Sequence, residues 1–369
     1  MAESSRIYAP RRVSRVATRP HGIIFSVIVA VVLIVVSVVA STSVYARTLI
    51  SNVNERTQTI DSGIDTTRPV MDDGELNLLL LGSDQRPEEK EAGEDGARTD
   101  TIMFVHIPDG HEEVYVMSIM RDLWVEIPGY GMGKINGAYE EGGFPLVVDT
   151  VEGLVGSDID HIAIIDFEGF RDVTEALGGV EVDNEQAFSS GIRNPSFFPE
   201  GKIKVSGTDA LRFVRERHAF NDGDYQRVKN QQLFLEGLVD QLLARDVLTN
   251  PGTLSDVITT LSPYLSVDDG LDAETMLNYG LSMSNIRSSD IKMFTIPNAG
   301  ADITSGGAAI VRQDEAATDR MREALRSGTM DEFLEEYDAE QNPDGSNQPE
   351  STSPANPPEP SAVESGVQG

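Results

Sequence analysis

Residues 75–84, ELNLLLLGSD, decide how the chain is read: a short unbroken apolar run bounded by a Gly-Ser-Asp turn signal is a buried strand ending in a loop. Working outward, TIMFVHI (101–107) and EVYVMSIM (113–120) read as two further strands joined by the turn Pro108-Asp109-Gly110. HIAIIDF (161–167) reads as another buried strand. Apolar residues at helical spacing fall between and after these strands, in FPLVVDTVEGLVG (144–156), FEGFRDVTEALGG (167–179, with Gly178-Gly179 as its stop), YQRVKNQQLFLEGLVDQLLARD (225–246) and DRMREALRSG (319–328). Strands interleaved with helices predict an α/β domain over residues 75–330, with a three-layer α/β/α arrangement around a central mixed β-sheet.

The flanks are of a different kind. GIIFSVIVAVVLIVVSVVASTSVYA (22–46) carries no charge and is long enough to cross a hydrocarbon core of ~30 Å as one transmembrane helix. A cleaved signal peptide would have a shorter apolar core. Arg6, Arg11, Arg12, Arg15 and Arg19 precede the run against the lone acid Glu3, so residues 1–21 are expected to be a basic cytoplasmic leader and everything after Arg47 to lie outside the cell. Residues 47–74 read as an extracellular stalk, and 331–369 as a disordered acidic tail rich in Pro and Ser. The net charge of −32 disfavours nucleic acid as a partner and requires that any anionic substrate be met by a local cationic site. There is no cysteine, which excludes disulfides, thiol nucleophiles and cysteine metal ligands.

Charged residues gather at the ends of the elements. Asp84 and Arg86 follow the first buried strand, where α/β folds place ligand sites. Arg98 and Asp100, two apart, share one face of an extended segment, and Arg121-Asp122 closes the third strand. Lys134 and Asn136 lie in the glycine-rich loop GYGMGKINGAY (129–139), just before a helix. Arg215 and Arg217 would point about 200° apart on a continuous helix, so a shared target requires the helix to stop near Phe213 and the chain to extend. Asp224, Arg227 and Gln231 fall on one face of the next helix. Each alone is explained by a cap, an ion pair or a solvated charge run; together, in so acidic a chain, they suit a pyrophosphate gripped by guanidinium groups. Two carboxylates such as Asp84 and Asp100 can hold Mg2+, which completes its shell with phosphate and water. The histidines show no metal-ligand spacing, and there is no GxSxG elbow, P-loop or GxGxxG motif. His161, at a strand start, reads as structural, and the stripe Leu233, Phe234, Leu238 and Leu242 as core before lipid groove.

The ordered blocks LLLLGSDQR (78–86), RTDT (98–101), SIMRDLWVEIPGYGMGKINGAY (118–139), LGGVEV (177–182), GTDALRFVRERH (207–218) and DYQRVKNQQ (224–232) resemble the LytR-CpsA-Psr family of cell-wall assembly enzymes. The resemblance implies a phosphotransferase on the outer face of the cell membrane. Such an enzyme moves a glycopolymer from a polyprenyl-pyrophosphate carrier onto peptidoglycan and encloses the lipid tail in a hydrophobic pocket. It further implies Asp84 and Asp100 at Mg2+, or Mn2+ in its place, with Arg98, Arg121, Arg215, Arg217 and Gln231 around the pyrophosphate. Asp224 and Arg227 stand in the same block, with Asp224 orienting an arginine. Asp84 and Asp122 are both candidates for the general base. The family usually has Pro where Met120 stands and commonly Arg where Asn230 stands; neither departure removes a phosphate ligand. The acidic loop PEEKEAGEDGA (87–97) reads as a solvated loop, with a gate over the site as the alternative. A polyprenyl-pyrophosphate hydrolase and a non-catalytic lipid-phosphate carrier or regulator remain as the other readings.

Overall fold

The computed structural model describes residues 58–64, 74–83, 99–192, 194–243, 265–272, 275, 279 and 286–341. Its strands, in chain order, are β1 (Gln58–Thr59), β2 (Leu76–Ser83), β3 (Thr99–Ile107), β4 (Val114–Ile119), β5 (Leu123–Ile127), β6 (Gly131–Lys134), β7 (His161–Asp166), β8 (Val180–Asn184), β9 (Phe188–Ser190), β10 (Ser196–Phe198), β11 (Gly201–Val205), β12 (Leu265–Val267), β13 (Ile291–Thr295), β14 (Asn298–Ile303) and β15 (Ala309–Gln313). The helices are α1 (Ala138–Val155), α2 (Phe167–Ala176), α3 (Gly207–Arg215), α4 (Asp224–Leu243), α5 (Glu315–Ser327) and α6 (Met330–Gln341).

The main sheet has the order β1-β12-β7-β2-β3-β4-β13. It is mixed: β2 runs parallel to β7 and antiparallel to β3, and β4 runs parallel to β13. The unbroken leucine run of β2 follows from its central place, because a strand covered on both faces has no polar side to show. Leu76, Leu78 and Leu80 join one apolar cluster with Val173 of α2, Phe213 of α3 and Phe234, Leu235 and Leu238 of α4. Leu79 and Leu81 point the other way, into a cluster with Val147, Val151 and Leu154 of α1, Met321 and Leu325 of α5, and Met330 and Phe333 of α6. The expected three layers are therefore present, with period-two alternation along β2 sorting one strand into two cores. Close approach fixes the helix α4 above the hairpin β8–β11: a Cβ at Gly237 would stand 2.0 Å from Glu181 O, so only glycine lets the helix lie there.

Three expectations are corrected. The segment 129–139 is not a loop throughout: β6 pairs antiparallel with β5, from Ile127 opposite Gly131 to Trp124 opposite Lys134. Pro128 and Gly129 (φ 81°) make the reversal, closed by Tyr130 N donating to Ile127 O at 2.9 Å, as a type II turn requires. The resulting sheet β14-β15-β5-β6 was not foreseen, since its strands are short and interrupted by glycine. Within the expected stalk, residues 58–64 belong to the fold: β1 pairs with β12, and Ile60 and Ile64 pack against the second cluster. Residues 331–341 of the expected tail belong to the fold as well, because α6 runs to Gln341 with Met330 and Phe333 buried. The leader, the run 22–46, the rest of the stalk, the loop 87–97 and residues 342–369 lie outside the described residues. Among the described residues no helix is long and apolar enough to cross a membrane. His161 is structural, as read: its Nδ1 lies 3.0 Å from Asp268 Oδ1 and its Nε2 3.0 Å from Tyr279 Oη, all three groups buried.

Candidate active site

Strands β2, β4 and β7 point in one direction, so Ser83, Arg121 and Asp166 emerge on the same edge of the sheet. Arg121 sits in the turn after β4, where Leu123 N donates to Met120 O at 2.9 Å and Asn136 N donates to Arg121 O at 3.2 Å. Asn136 thus serves this corner through its backbone. Met120, at the position where the motif usually has Pro, is buried under the turn.

The segment carrying Arg215 and Arg217 breaks as the shared-target argument requires, two residues later than expected. Helix α3 continues to Arg215, and Glu216 is extended (φ −65°, ψ 131°). Two amides of α4 fix the end. Asn230 Nδ2 donates to Phe213 O at 3.2 Å, and Gln231 Nε2 donates to Val214 O at 3.3 Å, so carbonyls left open in the last turn of α3 are capped from the neighbouring helix. The Glu216 carboxylate then accepts from three successive backbone amides, Arg217, His218 and Ala219, at 3.0, 2.7 and 3.0 Å. Sequence reasoning missed Glu216. Between two arginines it reads as part of a charge run, and only its burial shows that it shapes the turn.

These elements enclose a cavity of about 350 Å³ between β2, β3, α2, α3 and α4. Arg121, Arg215, Arg217, Arg227 and Gln231 line it together with Thr101, Asp166 and Glu216, and Leu80, Met103, Phe170, Phe234, Leu235 and Leu238 are among its apolar lining. Arg227 lies in the first turn of α4 and Leu238 about 16 Å further along it, so the wall passes from cationic to apolar down one helix. The Arg215 guanidinium stands over the Phe167 ring, 4.1 Å from its centroid. Gln231 also donates to Thr101 Oγ1 at 3.0 Å, which makes it a strut between α4 and β3 as well as part of the wall.

Behind the arginines lies a pair of carboxylates. Asp224 Oδ1 is 3.3 Å from Arg227 Nη1 and 3.8 Å from Arg217 Nη1, and its Oδ2 is 3.5 Å from Arg121 Nε. Asp122 Oδ2 is 3.6 Å from the same Arg121 nitrogen, while Lys134 Nζ donates to Asp122 Oδ1 at 2.8 Å. The two carboxyl groups share the Arg121 guanidinium. Burial pushes Asp224 up against the pull of Arg227 and Arg121, and the neighbouring Asp122 adds to the rise. Burial acts the same way on Asp122, but the bonds from Lys134 and Asp224 and the Arg121 charge outweigh it and bring its carboxyl down. Asp122 is therefore the ionised member of the pair, and Asp224 the one that takes a proton first.

Of the residues singled out in the sequence, Arg121, Arg215, Arg217, Arg227 and Gln231 meet at the cavity. Asp122, Asp224 and Lys134 stand behind or beside its wall. Asp84, Arg86 and Arg98 lie outside the described residues, and Asp100 is described by its backbone alone. Phe167 and Phe170 line the cavity without having been singled out, because apolar helix residues carry no signal that separates a cavity wall from a core.

The model of the LytR_cpsA_psr family matches residues 37–327. The chain belongs to that family. Among its relatives, the cell wall biosynthesis protein LcpA of Corynebacterium glutamicum is 30% identical over 282 residues, covering 66% of this chain and 54% of that protein. The chain thus spans about half the length of LcpA. A polyisoprenyl-teichoic acid–peptidoglycan teichoic acid transferase, TagU of Oceanobacillus iheyensis, is 34% identical over 225 residues, covering 59% of this chain and 67% of that protein. Among solved structures, B. subtilis TagV shares the fold with a TM-score of 0.59 at 24% identity, covering 71% of this chain and 99% of that one. The α/β layers with mixed sheets are therefore those of the LytR_cpsA_psr family, and the cationic cavity stands at the sheet edge from which its sequence blocks emerge.

Proposed function

We propose that this protein is a membrane-anchored extracellular phosphotransferase that attaches a glycopolymer, carried on a polyprenyl pyrophosphate, to peptidoglycan through a phosphodiester bond. The observation that carries this reading is a single cavity whose wall is cationic at the start of α4 and apolar along the rest of it. That gradient matches an amphiphile with an anionic head and a hydrocarbon tail. Relatives named as polyisoprenyl-teichoic acid–peptidoglycan teichoic acid transferases support the same substrate classes. The uncharged run 22–46 behind five arginines supports an anchor with the domain facing the cell wall.

In this mechanism Arg121, Arg215, Arg217 and Arg227 hold the pyrophosphate oxygens and neutralise the charge that grows on the leaving group. The acceptor hydroxyl oxygen bonds to the phosphorus that carries the sugar. The bond from that phosphorus to the bridging oxygen breaks, and polyprenyl phosphate leaves with the electron pair. The hydroxyl proton passes to Asp122, held ionised by Lys134 and Arg121, with Asp224 beside it as the group on which a proton rests more readily. Asp84 and Asp100 would hold Mg2+, or Mn2+ in its place. Ser83 pairs with Thr99 across a bulge, Asp84 and Asp100 are the next residues in sequence, and carboxylate oxygens suit a hard cation. When bound, the ion would add positive charge at the phosphate oxygens.

The test supplies the full-length protein, in detergent, with a polyprenyl-pyrophosphate-linked oligosaccharide and soluble peptidoglycan chains, with Mg2+ or with chelator, and reads products by mass spectrometry. The expected product is a metal-dependent sugar–phosphate–peptidoglycan adduct that Arg217→Ala abolishes. Free phosphosugar formed regardless of acceptor would make the protein a hydrolase, and intact bound donor would make it a carrier.

A further inference from the structure

We propose that the outer face of the β5–β6 hairpin is a binding ledge for the glycan strand of the acceptor, built from Trp124, Tyr130, Met132 and Lys134. The inference rests on the transferase reading and adds to it the place from which the second substrate approaches. Cross-strand partners share a face, so the pairing of Trp124 with Lys134 and of Glu126 with Met132 puts all four side chains on one side of the hairpin. The opposite side is the core: Leu123, Val125 and Ile127 are buried, and a Cβ at Gly133 would stand 2.8 Å from Ile127 Cδ1.

The outer side carries more apolar surface than a solvent face needs. Met132 is 55% exposed and Tyr130, at the turn, 57%. The Tyr130 ring is nevertheless tethered, because its hydroxyl donates to Glu141 O at 2.9 Å. An exposed aromatic ring held in one orientation is a prepared platform, with little ordering entropy left to lose on binding. Rings of this kind stack on the apolar faces of sugars, while Glu126 and Lys134 beside them can bond hydroxyl and amide groups. Lys134 also ties the ledge to the chemistry, since its ammonium donates to Asp122 at 2.8 Å. From there Met132 lies about 7 Å along the strand, with Tyr130 beyond it at the turn, a span that suits a short oligosaccharide. Asp122 lies beside the cavity wall rather than on it, so an acceptor on the ledge reaches the base without displacing the donor.

The chain has a single tryptophan, Trp124, on this ledge, and its emission reports binding without a label. Full-length protein in nanodiscs is titrated with soluble peptidoglycan glycan chains, with free stem peptides as the second probe. Glycan chains are expected to shift Trp124 emission saturably, with affinity lowered about tenfold in Tyr130→Ala and less in Met132→Ala, and stem peptides to leave it unmoved. In the transfer assay the same variants should raise the acceptor KM about tenfold and leave the donor KM unchanged. Emission that ignores glycan while transfer proceeds, a response to stem peptides alone, or an acceptor KM unaltered in Tyr130→Ala would overturn the ledge. Glycan-dependent emission lost in Tyr130→Ala with no product from any donor would instead retain the ledge and remove the transferase reading.

Discussion

The two faces of the main sheet are built from the same strands and end differently. Leu79 and Leu81 of β2 and Phe104 of β3 meet α1, α5 and α6 in a closed core. Leu80 and Met103, their neighbours in sequence, meet α2, α3 and α4 across a cavity of about 350 Å³. Strand chemistry is the same on both sides, so the difference lies in the helices. On the cavity side α3 stops at Arg215, its last carbonyls capped by Asn230 and Gln231, and the chain turns outward around Glu216. That break leaves volume beneath it and sets arginines over its opening. A family-typical arginine at position 230 would have to find another place, since Asn230 is fully buried against Phe213 O.

The largest expected effect removes the charge from the cavity side. Arg121→Ala should lower kcat for transfer about 10²–10³-fold, the usual loss for a preorganised donor aimed at developing charge. Its thermal midpoint should move little, because the group lies at the sheet edge; a loss of activity that merely tracks unfolding would contradict the assignment. Next is a matched pair of substitutions. Val151→Phe on the closed face should destabilise by about 1–3 kcal/mol through overpacking. Val173→Phe, on the cavity wall, should be accommodated in folding and block donor binding instead, read by denaturant titration and donor affinity.

Smaller effects separate the faces by pH. His106 on the closed face is buried against Asn77, and desolvation depresses its pKa to about 4. The folded state therefore binds fewer protons than the unfolded one between pH 6.5 and about 4, and stability falls as pH drops through that window, by about 3 kcal/mol in all. His106→Gln should remove most of that acid sensitivity in urea titrations. On the cavity side the expected signature is kinetic. Asp224→Ala deletes the raised member of the carboxyl pair and with it the bond that helps hold the Asp122 carboxyl down, so the acid limb of kcat/KM should move to higher pH. A limb left in place would take the pair out of the proton transfer.

Much of this was legible in the chain. The runs of β2, β3, β4 and β7 are continuous because both faces are covered, and such runs are hard to misread. The same pattern told nothing about which face is hollow, since Leu80 and Leu79 are equally apolar. The hairpin β5–β6 was hidden by glycines that serve the turn and the tight packing on Ile127, and so read as loop. Residues 58–64 and α6 were assigned to the flanks because edge pairing and burial on one side leave little periodic signal. Arg215 and Arg217 were placed together by an argument about helix angle, and the structure supplies the means, the amides of α4 and the carboxylate of Glu216.

The most direct test of the asymmetry uses a polyprenyl pyrophosphate carrying a photoreactive group in its tail, crosslinked to the full-length protein and mapped by mass spectrometry. The account predicts label on residues 167–176 and 224–243, around Phe170, Leu235 and Leu238, competed by unmodified lipid and lost in Val173→Phe. Label on residues 315–341, or on neither helical layer, would contradict it.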